Sequence, residues 1–125
     1  MRGLHQMTVA EPRDLYDHAA DVARHYRAFG SYGGKATTAV RALQRRAPMR
    51  SRQECDLAFH RALLLFDYCT ELMESESGRY LARTSESADY DFSDLVPRVK
   101  PGFAEFGDRT IEWVLGWIWL YYHLM

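Results

Sequence analysis

The sequence predicts an all-α protein: a four- or five-helix bundle with a long polar connection before an aromatic C-terminal helix. Three observations lead there. Apolar residues recur at three- and four-residue spacing through most of the chain, the period of a helix face and not of a strand. Capping residues, glycines and prolines punctuate those stretches at helix-like intervals. With 125 residues, 47% apolar and 26% charged, the composition is that of one globular domain whose core needs neither metal nor disulfide.

Residues 1–10 form an N-terminal extension. The first helix is expected from about Glu11 to Phe29: Thr8 and Glu11 have capping-box spacing, and Pro12 suits a first turn. Leu15, Ala19, Val22, Tyr26 and Phe29 make a narrow apolar seam, and Gly30, Gly33 and Gly34 stop the helix. A second helix, about Ala36 to Ala47, aligns Ala36, Val40, Leu43 and Ala47, and Pro48 ends it. Ser51 and Glu54 form another capping box, opening the longest helix, to about Glu74. It buries Cys55, Phe59, Ala62, Leu63, Phe66, Thr70 and Met73, with Leu64, Leu65 and Leu72 broadening the stripe.

Residues 75–102 read as a polar connection. They hold Ser75-Glu76-Ser77, Ser85-Glu86-Ser87, Pro97 and Pro101, with a short helix around Gly78 to Ala82. The last helix is expected from about Phe103 to Leu124, on the spacing of Phe106, Thr110, Val114, Trp117 and Tyr121. A strand or a hairpin at Gly116 is the competing reading of its aromatic content. From Trp113 onward no residue is charged, but thirteen residues are too few to span a bilayer. The N-terminus lacks the apolar stretch of a signal peptide, and Cys55 and Cys69 lie about 21 Å apart on one helix axis. Two reduced thiols in a cytoplasmic protein are the expectation.

Charge is unevenly placed. Residues 1–61 hold eleven Lys/Arg against six Asp/Glu, +5, and residues 62–125 hold five against eleven, −6. Such a dipole steers a partner or aligns two copies head to tail.

Several constellations carry residue types that could do chemistry. Gly30 to Thr37 fails as a phosphate loop, because the required earlier glycine is Phe29 and Ala36 follows Lys35. Asp14, His18, Asp21 and His25 share one helix face, and His60 with Asp56 or Asp67 would add ligands to a metal site there; yet His18 and His25 stand about 10 Å apart, too far for one ion. Asp89 to Lys100 begins like a calcium loop, but has Asp94 and Lys100 where glycine and glutamate belong. The cysteines fall on the apolar face, where thiols are inert. No cofactor is expected, and no motif favours an enzyme.

Two surfaces remain as partner-binding candidates. Arg41, Arg45, Arg46 and Arg50, with Lys35, Arg52 and Arg61, surround a helix–turn–helix and suit an acidic partner or phosphates. Trp113, Trp117, Trp119 and Tyr121 are either the centre of the bundle or a contact with another chain, since aromatic residues and arginine are enriched at interface cores. The expected role is a small intracellular protein-interaction module of immunity, antitoxin or adaptor type, acting on another protein or as a homodimer. The alternatives are a nucleic-acid-binding domain using the arginines of residues 41–61, and a metal-dependent helical-bundle enzyme.

Overall fold

A computed structural model describes the backbone of residues 12–84 and 92–124, and the side chains of residues 15–75 and 92–120. The Thr8 to Glu11 capping box lies outside them. The described residues form five α-helices and no strand: α1 (Pro12–Phe29), α2 (Ala36–Arg46), α3 (Arg52–Thr84), α4 (Val96–Val99) and α5 (Asp108–Leu124). Short 3-10 turns cover Ser31–Gly34 and Lys100–Gly102. The all-α class read from the sequence holds. None of these helices is long and apolar enough to cross a membrane.

The chain condenses into two compact units, Met1–His60 and Arg61–Met125, and α3 supplies residues to both. In the first unit α1 packs against α2. Leu15, Ala19, Ala20, Val22 and Ala23 of α1 meet Ala39, Val40, Ala42 and Leu43 of α2 in a core completed by Cys55, Ala58 and Phe59. Small residues on both helices let their backbones approach closely. Tyr26 lies edge-on to Phe59 at 5.3 Å. The seam ends sooner than its spacing predicts: Phe29 is 60% exposed. It stands at the last position of α1, where the chain turns away through Gly30, and Arg24 and His25 cover its ring.

That turn needs left-handed backbone four times, at Gly30, Tyr32, Gly33 and Gly34. Three of the four are glycine, which adopts positive φ without a Cβ penalty. The capping box at α3 forms as read: Ser51 N–H donates to Glu54 Oε1 at 2.8 Å, and Glu54 N–H to Ser51 Oγ at 3.0 Å.

In the second unit α3 runs to Thr84, past the end expected near Glu74. Ser75, Ser77 and Gly78 each cost under about 1 kcal/mol relative to alanine, and extending an existing helix needs no new nucleus. The short helix expected around Gly78 is therefore part of α3. The buried stripe comprises Ala62, Leu65, Phe66, Cys69, Leu72 and Met73. Leu63 and Thr70 are only half-buried, and Leu64 is exposed, so the stripe is narrower than its leucines suggest.

The last helix also departs from expectation, starting at Asp108 and not Phe103. Proline and glycine at 101 and 102 break the backbone pattern, and residues 103–107 form turns whose N–H groups return to Lys100 and Phe103 carbonyls. Phe103 and Phe106 still bury themselves, from a loop. The buried face of α5 is Ile111, Val114, Leu115, Ile118 and Trp119, rotated from the face that places Trp117 at its centre.

Candidate functional site

The sequence-predicted arginines divide into tied and untied groups. Arg46 reaches from α2 to α1, donating to Asp21 Oδ2 at 2.8 Å, while Arg24 donates to Asp21 Oδ1 at 3.1 Å. His25 Nδ1 is 3.8 Å from the same carboxylate. Burial alone would raise the Asp21 carboxyl; hydrogen bonds from Arg46 and Arg24, with the charges of Arg46 and His25, outweigh it and hold the group below its ordinary value. Asp21 thus ties α1 to α2, and its lone pairs are committed to arginine. Arg50 pairs with Glu54 at 3.4 Å across one turn.

Arg41 and Arg45 are different. They lie one turn apart on α2, both exposed, and neither has an ion-pair partner among the described residues. Arg61 belongs to the second unit. It chelates the Glu105 carboxylate, donates to the Gly102 carbonyl at 2.6 Å and lies 4.7 Å over the Phe103 ring. The Arg61 hydrogen bonds hold the Glu105 carboxyl below its usual range despite partial burial. On the far side of that loop Lys100 Nζ donates to the Phe106 carbonyl at 2.6 Å and pairs with Asp108 at 3.1 Å. Two cations therefore pin the 100–108 loop.

The tryptophans also separate. Trp119 is 3% exposed and belongs to the core of its unit, against Phe92 at 6.1 Å. Trp117 is half-buried and meets Phe66 edge-on at 6.4 Å. Trp113 is 40% and Leu120 46% exposed. The Tyr121 side chain lies outside the described residues.

Trp113, Gly116, Trp117 and Leu120 follow a 3-1-3 spacing, which puts them on one side of α5, away from its buried stripe. With Phe92 and Glu112 they line a hollow of about 280 Å³ open to solvent. Gly116 makes it a hollow: without a side chain, the wall between Trp113 and Leu120 drops to the Phe92 ring. Glu112 is half-exposed on the rim and has no ion-pair partner among the described residues.

Comparison with protein-family models, curated proteins and solved structures finds no match.

Sequence reasoning missed Phe92, Glu112, Gly116 and Leu120. The signal was present in α5, which carries two apolar stripes, Ile111-Val114-Leu115-Ile118 and Trp113-Gly116-Trp117-Leu120, where a helix serving one core needs a single stripe. Among the described residues no three His, Cys, Asp or Glu side chains gather at metal-binding distance. His18 and Asp17 remain on the surface side of α1, and His60 Nδ1 turns to the Asp56 carbonyl at 2.9 Å. Asp14 lies outside the described side chains. Both thiols are buried, and burial pushes Cys69 up to about 12.

Proposed function

We propose that this protein is a protein-interaction module whose contact surface is the aromatic hollow on α5. One observation carries the reading: a solvent-open apolar hollow, floored by glycine and edged by a carboxylate, on the side of α5 opposite its buried stripe. Its volume falls at the lower limit of small-molecule pockets, and it is open where those are enclosed, which suits an anchoring side chain from another polypeptide. Exposed aromatic and leucine side chains contribute the apolar burial, and Glu112 favours a segment that carries a cation beside its apolar anchor. A role of the immunity, antitoxin or adaptor type fits a chain this small that works by contact.

The nucleic-acid alternative draws on the exposed Lys35, Arg41, Arg45 and Arg52, but it loses Arg46, Arg50 and Arg61 to partners in their own units. The metal-dependent alternative loses Asp21 to arginine.

Tryptophan fluorescence titrations with two synthetic amphipathic helical peptides test the reading. The two share one leucine stripe and carry either arginine or glutamate on the polar flanks. The arginine peptide is expected to bind wild type with a micromolar Kd, and Gly116→Leu, which fills the hollow, to weaken it about tenfold or more. Failure of both peptides to bind, or equal binding by wild type and Gly116→Leu, overturns it.

A further inference from the structure

Resting on the reading of the α5 hollow as a contact site, we propose that its occupant is a second copy of this chain, which inserts Met49 of its first unit into the hollow of its neighbour's second unit.

Met49 is 92% exposed, far more than the other large apolar side chains on the surface among the described residues. It stands at the tip of the turn between α2 and α3, next to Pro48. The turn is not loose: Arg50 N–H donates to the Ala47 carbonyl at 3.0 Å, and Gln44 Nε2 to the Arg50 carbonyl at 3.5 Å. A long, unbranched, polarisable side chain is thus held out into water on a tied loop. Methionine adapts to irregular cavities, and its sulfur favours aromatic walls. The hollow offers Trp113, Trp117 and Phe92 as walls and has room for one such side chain.

Charge selects the same pairing. The unit presenting Met49 has ten Lys/Arg against six Asp/Glu, +4, and the unit holding the hollow has six against eleven, −5. The charge boundary read from the sequence falls within one residue of the boundary between the units. One turn back from Met49 along α2 stands the exposed Arg45; at the hollow stands Glu112. Arg45 and Glu112 each lack an ion-pair partner among the described residues. A knob flanked by arginine faces a socket edged by glutamate.

Knob and socket are different patches, so the contact is heterologous. Each copy that donates Met49 keeps its own socket open, and association propagates into a ring or an open chain unless it closes. A twofold dimer, by contrast, uses one patch twice.

The test uses the full chain, followed by sedimentation velocity at rising concentration in low and high salt, with circular dichroism confirming that each variant is folded. Wild type is expected to grow past dimer, with association weaker in high salt because the paired charges are exposed and screened. Met49→Glu, at a site with almost no contacts to lose, and Gly116→Leu are each expected to stay monomeric. An equimolar mixture of the two variants is the decisive arm: Gly116→Leu still has its knob and Met49→Glu its socket, so the mixture should form dimers and stop there. Wild type that remains monomeric in both salts, single variants that associate like wild type, or a mixture that stays monomeric while wild type grows, each overturns the proposal. The arginine-peptide titration separates the two readings. Peptide binding by a wild type that does not self-associate removes Met49 as occupant and leaves the hollow as a contact site, whereas loss of both removes the hollow too.

Discussion

Gly116 faces the Phe92 ring, and a Cβ built on the glycine would stand 3.8 Å from Phe92 Cε2 and 3.9 Å from Cδ2. Those are ordinary van der Waals separations, so sterics do not require glycine there. Its backbone is helical, so no unusual φ requires it either. Glycine in a helix interior costs roughly 0.5–1 kcal/mol relative to alanine. Gly116→Ala is therefore expected to stabilise the fold by about that much in a thermal or urea melt, while making the hollow shallower and weakening the arginine peptide. A loss of stability would show that the hollow is not what glycine preserves.

Asp21 and Arg46 give a pH-dependent link between α1 and α2. The folded carboxyl lies below its ordinary 3.8, so folding favours the charged form. Its stabilisation is complete above the unfolded value and drains away as pH falls through the lower, folded one. Asp21→Asn is expected to cost about 1 kcal/mol at neutral pH, a small figure because the group is partly solvated. The gap between wild type and variant should shrink below about pH 4. Urea melts at both pH values check this; a gap that widens in acid reverses the assigned sign.

Arg61 combines a chelated carboxylate, a carbonyl and an aromatic face. Removing it leaves the Gly102 carbonyl and Glu105 without their donor, and Arg61→Ala is expected to destabilise by about 2 kcal/mol. Arg61→Lys should recover less than half of that, since an ammonium lacks the planar fork that meets both oxygens and stacks on Phe103. Equal stability of the lysine variant and wild type would reduce Arg61 to a point charge.

Gly33 has φ +64 and open space where a Cβ would go. Gly33→Ala is thus expected to cost about 1 kcal/mol through backbone strain alone, with no clash. An unchanged melting midpoint would show that the turn relaxes to another conformation.

Much of this architecture was legible because local signals agreed. The Ser51 and Glu54 pair marked the start of α3 by a reciprocal hydrogen bond that depends on neighbours three residues apart, and the seam of Leu15, Ala19 and Val22 needed only helix geometry. What was misread depended on distant partners. Phe103 and Phe106 lie at helical spacing from α5 but bury themselves from a loop that Arg61 and Lys100 hold, and no local pattern shows those cations at work. Leu64 has the composition of a core residue and the position of a surface one. The hollow was hidden for the same reason: Phe92 comes from a stretch that resembled a failed calcium loop, and Gly116 resembled a hairpin turn. Only when Phe92 lies against Gly116 does an absent side chain become a hollow in the helix surface.

The two buried thiols have a use of their own. Cys55 sits in one unit's core and Cys69 in the other's, so a thiol-specific reagent reaches each only when its own surroundings open. Labelling rates resolved by peptide mass would then serve as a pair of stopwatches, timing the breathing of each half of the chain in a single unmodified sample.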